Sequence, residues 1–203
     1  MRKKRIVVFA SGRGSNAAAL RRAILEGSIK GELVGAVCDV ADAPFIKTAS
    51  SWGVPVIVAE RKGFVSQQDF EAYIAARIEP LRPDLLCLAG FMRLLSGDFI
   101  KPYAHRIMNI HPALLPAFKG LHAQRQAVEA GVKVAGCTVH FVVPDMDAGP
   151  IIIQETVPVR DDDTEDTLAA RILTKEHSAY VRAVSLFCDD KLEITGNKVH
   201  IRD

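Results

Sequence analysis

Long apolar stretches are missing from this 203-residue sequence. A membrane-spanning helix needs about 20 consecutive apolar residues. The run that follows the basic start Met1-Arg2-Lys3-Lys4-Arg5 ends at Ala10, where Ser11, Gly12 and Arg13 take over. It is also too short for the apolar segment of a secretory signal, so a cytoplasmic location without membrane attachment is expected. Paired cysteines are missing as well. Cys38, Cys87, Cys137 and Cys188 stand singly in apolar surroundings with no CxxC spacing, which argues against structural zinc and dithiol redox chemistry and fits reduced thiols in a core. Neither sign of charge dominates: 26 Lys and Arg face 24 Asp and Glu, a net charge of +2. No field of that size selects nucleic acid or a membrane surface as partner. The histidines, His122 near a helix start and His140 within an apolar strand among them, show no HxxxH or HxH spacing, and no serine lies in a GxSxG elbow. Metal coordination and serine hydrolysis therefore lack their usual patterns.

Apolar material itself is plentiful, at 49% of the chain. It falls into short runs that alternate with helical patterns. Strands are expected at Arg5–Ala10, Leu33–Cys38, Val54–Val58, Leu85–Ala89, Arg106–Ile110, Gly136–Val143 and Ile151–Val159. Helices are expected at Ser15–Glu26, Ala43–Trp52, Ser66–Leu81, His122–Ala130 and Thr164–Phe187, the last with acids at its start to complement the helix dipole. Gly196-Asn197 between two short extended runs reads as a hairpin. Such alternation predicts an α/β fold, a mainly parallel sheet with helices on both faces and a few antiparallel strands late in the chain. No repeat or linker divides it, so residues 1–203 read as one domain.

Three groups stand out as chemistry. Asn109 and His111 lie in Met108-Asn109-Ile110-His111-Pro112, and Asp147 lies in Asp145-Met146-Asp147-Ala148-Gly149-Pro150. Each is read as sitting just past an apolar run. An amide can donate to an oxyanion, an imidazole can exchange a proton near neutral pH, and a carboxylate can orient that imidazole. A second signal is Ser11-Gly12-Arg13-Gly14-Ser15-Asn16, a glycine turn between a strand and a helix. Free N–H groups at the helix start suit a phosphate. The same residues fit a dinucleotide fingerprint, with Gly12, Gly14 and Ala17 in place and Asp39 where a ribose-binding acid would lie. A tight turn that binds nothing is the third possibility. Ligands of open parallel sheets bind beyond the carboxyl ends of the strands, so the glycine turn, Gly90-Phe91-Met92-Arg93 and the Asn109–His111 run are expected around one cleft.

At these residues the sequence closely resembles the glycinamide ribonucleotide formyltransferase family. The resemblance is carried by Ala10–Asn16, Leu88–Arg93, Asn109–Pro112 through Leu114–Gly120, Gly136–His140, Asp147–Gln154 and Glu176–Tyr180, and it spans nearly the whole chain. It implies a Rossmann-like formyltransferase fold and a folate-dependent enzyme of purine biosynthesis, one that moves a formyl group from 10-formyltetrahydrofolate to the amine of glycinamide ribonucleotide. It also implies that the glycine turn holds a ribose phosphate. By the same resemblance Asn109, His111 and Asp147 are catalytic. Gly14, Ser15, Asn16, Gly90 and Glu176 bind the amine substrate, while Met92, Arg93, Leu95, Val142, Val143 and Asp145 bind folate. No metal is expected, the partners are small molecules, and the chain is expected as a monomer or homodimer.

Formyltetrahydrofolate hydrolase is the alternative within the superfamily. It carries an extra N-terminal domain, whereas strand one here begins at Arg5. Methionyl-tRNA formyltransferase carries an extra C-terminal domain, and this tail is not rich in Lys or Arg. A binding or regulatory domain on the same fold explains the glycine turn but not the trio. The sequence departs from the family at three points. Ala113 stands where serine is frequent, Gln67 where arginine is frequent and Val181 where proline is frequent. A missing cation at position 67 predicts weaker phosphate binding unless Arg61 or Lys62 replaces it.

Overall fold

The computed structural model of the chain describes residues 2–202. Its strands are β1 (Lys4–Ala10), β2 (Gly31–Cys38), β3 (Val56–Val58), β4 (Leu85–Leu88), β5 (Ile107–His111), β6 (Val134–Phe141), β7 (Ile151–Pro158), β8 (Leu192–Thr195) and β9 (Lys198–Ile201). Its helices are α1 (Ser15–Leu25), α2 (Pro44–Ser50), α3 (Gln67–Ile78), α4 (Gly97–Ile100), α5 (Ala123–Glu129) and α6 (Glu165–Cys188). All the strands join one sheet in the order β3-β2-β1-β4-β5-β6-β7-β9-β8. β1 to β5 are mutually parallel, and β6 then runs antiparallel to both β5 and β7. The chain therefore has the α/β architecture expected of it.

Period-two patterning decides which helix covers which face. Ile6, Val8 and Ala10 of β1 point into a core with Leu20 of α1, Phe45 of α2 and Ile172 and Tyr180 of α6. Val7 and Phe9 point the other way, onto Phe70, Ile74 and Ile78 of α3. Both long helices away from the glycine turn start on capping boxes. Ser66 pairs with Asp69 ahead of α3, and Thr164 pairs with Thr167 ahead of α6, where Glu165 and Asp166 supply the expected acids. Tyr180 is fully buried on α6, and its hydroxyl faces the carbonyls of Leu88 and Met108 at 3.1 and 3.0 Å. It ties the end of β4 to its neighbour β5.

Some boundaries differ from expectation for local reasons. The helix expected over Ser66–Leu81 gives way after Ile78 to a 3-10 turn, because Pro80 has no N–H and crowds the preceding turn. The four-residue α4 has no signal at sequence level beyond its cap, Ser96, whose hydroxyl accepts from the Phe99 N–H. Most relevant to function, β5 runs on through His111. Asn109 and His111 are ladder residues of the sheet and do not lie in the loop beyond it.

Candidate active site

The pleat of β5 sends Asn109 and His111 to the same face. The antiparallel register with β6 places Asn109 opposite His140 and His111 opposite Thr138. Across that register Asn109 Nδ2 lies 3.2 Å from His140 Nε2, while His140 Nδ1 lies 2.9 Å from the Phe141 carbonyl. A ring nitrogen facing a carbonyl donates to it, so Nδ1 carries the hydrogen and Nε2 accepts from the Asn109 amide. His140 is almost completely buried. Burial pushes its pKa below the ordinary histidine value, outweighing the opposing pull of the Phe141 carbonyl and of Asp147. A neutral His140 thus fixes the Asn109 amide and occupies one of its two hydrogens.

Asp147 is delivered by a pinched loop. A Cβ on Gly149 would sit 1.8 Å from the Phe141 carbonyl oxygen, so only glycine lets the chain return this closely to the end of β6. Asp147 takes a left-handed backbone with φ 47°. Its Oδ2 accepts the Gly120 N–H at 2.9 Å and lies 3.5 Å from His111 Nδ1, and its Oδ1 lies 3.7 Å from His140 Nε2. One carboxylate therefore faces two imidazoles. His111 Nε2 faces the Phe118 carbonyl at 2.8 Å, so both ring nitrogens have neighbours in this conformation. For His111 to donate to an oxyanion, the Phe118 carbonyl must give way. The loop after His111 is fastened from below: Thr138 Oγ1 donates to the Ala113 carbonyl at 2.6 Å and accepts the Leu115 N–H at 3.0 Å. This bracing uses the main chain of Ala113, so the alanine at that position leaves it intact.

The glycine turn is built differently. No side chain caps α1, which leaves its first-turn N–H groups open to an anion. Gly14 has φ 70°, and a Cβ there would come within 2.3 Å of the Phe45 ring. Ser15 opens the helix. The Asn16 side chain turns inward and donates from Nδ2 to Glu176 Oε2 at 2.7 Å. Both residues are buried, so Asn16 has only its main-chain N–H to offer a phosphate. Burial raises the Glu176 pKa, and the Asn16 hydrogen bond opposes it. Asp39, the candidate ribose acid of a dinucleotide site, is also turned inward, with Oδ2 on Arg93 Nε at 2.7 Å. That leaves the dinucleotide possibility without its acid.

A cavity of about 510 Å³ lies over the ends of β4, β5 and β6. Asn109, His111, His140 and Asp147 are all in its wall, together with Gly90 and the six residues expected at folate: Met92, Arg93, Leu95, Val142, Val143 and Asp145. Gly14, Ser15, Asn16 and Glu176 are not among the lining residues. The two places adjoin through Ser11, whose N–H donates to the Gly90 carbonyl at 3.0 Å and whose Oγ accepts the Met92 N–H at 2.8 Å.

Sequence reasoning left two residues out. His140 read as a core histidine, although the period-two rule places it opposite Asn109 once β5 and β6 are taken as antiparallel neighbours. Ser11 read as part of a turn. Position 67 also differs from expectation. Gln67 Nε2 donates to Glu71 Oε1 at 2.9 Å and to the Leu94 carbonyl at 3.1 Å, so it braces the cavity-lining loop and not the glycine turn. Neither suggested substitute is free: Lys62 pairs with Glu60 at 2.7 Å, and Arg61 donates to the Phe64 carbonyl at 2.9 Å.

Comparison with known proteins agrees with the fold. A family described as formyl transferase matches residues 4–184. The chain is 40% identical over 192 residues to the phosphoribosylglycinamide formyltransferase of Escherichia coli (strain K12), covering 95% of this chain and 91% of that protein. It is 42% identical over 187 residues to the trifunctional purine biosynthetic protein adenosine-3 of Drosophila melanogaster, covering 91% of this chain but only 14% of the longer protein. Among solved structures, glycinamide ribonucleotide transformylase 1 from Symbiobacterium toebii superposes with a TM-score of 0.96 at 46% identity, covering 99% of this chain and 95% of that one.

Proposed function

The chain belongs to the formyl transferase family, and from that membership and the geometry of the cavity we propose that it transfers a formyl group from 10-formyltetrahydrofolate to the primary amine of glycinamide ribonucleotide, a step of purine biosynthesis. The observation that carries the reading is one cavity wall that holds Asn109, His111 and His140, set by the β5–β6 register, and Asp147, set by the Gly149 loop, beside an open helix N-terminus. A flat heteroaromatic ring suits that cavity. Apolar Met92, Leu95, Val142 and Val143 offer its faces, and the main-chain groups of the same loops offer its polar edges.

In this reading the ribose phosphate rests on the N–H groups of Gly14, Ser15 and Asn16, and Glu176 accepts from the sugar hydroxyls. The amine attacks the formyl carbon, the carbonyl electrons move to oxygen, and an oxyanion forms. The second hydrogen of the Asn109 amide, the one His140 does not take, stabilises that oxyanion. His111 joins it by exchanging its Phe118 carbonyl partner for the oxyanion. Asp147 holds the proton of the imidazole and, through water, passes the proton of the attacking amine to the folate nitrogen that leaves. The formyl group arrives activated, so these residues orient and stabilise. The enzyme reads as a cytoplasmic, single-domain protein, alone or as a homodimer. The test is an absorbance assay for tetrahydrofolate release with and without glycinamide ribonucleotide. Release only with the amine supports transfer. Equal release without it would mean hydrolysis, and no release would sink the enzymatic reading.

A further inference from the structure

Asp39 follows β2 and Arg93 follows β4, and β1 runs between those two strands. The Arg93 Nε–Asp39 Oδ2 ion pair, at 2.7 Å, therefore bridges across the end of β1. Its two ends are unlike. The Asp39 side chain is 1% exposed and that of Arg93 is 45% exposed. Asp39 Oδ1 is buried without a hydrogen-bond partner among the described residues. A buried carboxylate with one cationic neighbour is costly to keep, and packing alone would be served as well by a neutral residue of the same volume. What the carboxylate does is orient its partner. Taking Nε fixes the plane of the guanidinium. Arg93 lines the cavity, and its two terminal nitrogens carry no hydrogen bond to the described residues.

We propose that Asp39 is a positioning residue for the formyl donor: it holds the Arg93 guanidinium at the cavity wall so that its terminal N–H groups meet bound folate in one set orientation. The inference rests on the reading of the cavity as the folate site. A position that would serve the ribose of a dinucleotide in a related sheet here faces inward and serves the other substrate. Asn16 and Glu176, the pair on the opposite side of the glycine turn, have no part in it.

The test uses tetrahydrofolate as the probe, its Kd read by fluorescence titration, with the KM for glycinamide ribonucleotide read in parallel. Asp39→Asn keeps the volume and removes the charge. The expected result is a rise in tetrahydrofolate Kd of about 10-fold, the size of a lost charge-assisted hydrogen bond, with the amine KM unchanged. Adding Asp39→Asn to Arg93→Ala should weaken binding no further than Arg93→Ala alone, because Asp39 acts only through Arg93. Additive losses, or an Asp39→Asn protein that binds tetrahydrofolate as tightly as wild type, overturn the proposal. Should Asp39→Asn fail to fold, Arg93→Lys decides it. Lysine keeps the charge and the partner but not the oriented fork, so affinity should fall as it does in Arg93→Ala; wild-type affinity overturns the proposal. Wild-type protein that binds no tetrahydrofolate would overturn the folate reading itself, which the wild-type titration settles separately.

Discussion

The glycine turn and the Asn109–Asp147 cluster lie side by side yet are made of different material. The turn presents main-chain N–H groups; Gly12 and Gly14 carry no side chain and that of Asn16 turns inward. The cluster presents side chains, each held by a neighbouring group: Asn109 by His140, His111 by the Phe118 carbonyl, Asp147 by the Gly120 N–H. A phosphate keeps the same charge from binding to release, so a static ring of dipoles serves it. A reacting carbonyl changes charge within a turnover, and it needs groups whose orientation is fixed in advance. The difference teaches where substitutions should act on rate and where on binding.

The largest effect should come from the cluster. Asn109→Ala removes the proposed oxyanion donor and should lower kcat on the order of 100- to 1,000-fold, with the amine KM close to wild type. Asp147→Asn should fall in the same range. A kcat within a few-fold of wild type for either would break the contrast between the two regions.

Next is pH. Burial lowers the His140 pKa, so its Nε2 is an acceptor at neutral pH and becomes a donor as the pH falls below the ordinary histidine value. It then opposes the Asn109 amide. Turnover should fall, at pH below the ordinary value of 6.5, by up to about 10-fold per pH unit. Stability should fall in the same direction, because the unfolded ring gains its proton at higher pH than the folded one, and the loss runs from the unfolded value down through the folded one. In His140→Gln the amide oxygen can accept from Asn109 without titrating. A kcat profile for that variant with the same acid limb as wild type would remove His140 from the account.

Gly14→Ala probes the turn. The left-handed backbone and the Phe45 ring leave no room for a methyl group, so the unfolding free energy should drop by about 1–3 kcal/mol and the amine KM should rise with kcat little changed. A fall in kcat with unchanged KM would show that the two regions are not separable. The smallest effect is expected of Gln67→Arg. Because Gln67 braces the loop at Leu94, the amine KM at low salt should stay within about twofold of wild type. Marked tightening would return position 67 to the phosphate.

Much of this was legible in the sequence, for identifiable reasons. The parallel strands are continuous apolar runs because both their faces are buried, and α6 could be read because its acidic start and 24-residue apolar stripe agree. Asn109 and His111 could be picked out because each is a polar residue in an apolar run, and Asp147 because it follows one. Pairing was not legible. Nothing local to His140 distinguishes it from a core histidine; only the register of two strands separated by a long connection brings it to Asn109. The inward turn of Asn16 and Asp39 was hidden for a similar reason. Their partners, Glu176 and Arg93, lie far away in sequence, and a polar side chain at a strand end looks the same whether it faces a ligand or the interior.

The Tyr180 hydroxyl places a time order on all of this. It bonds to the carbonyls of Leu88 at the end of β4 and Met108 of β5, so it ties two neighbouring strands from one face of the sheet. Yet it comes from the last long helix of the chain, after every residue of the cluster has been made. A ribosome can have released β1 to β7 and still have delivered no brace for β4 and β5. β4 and β5 gain this tie only when α6 docks, so two strands that supply cavity lining are braced by a helix made after them.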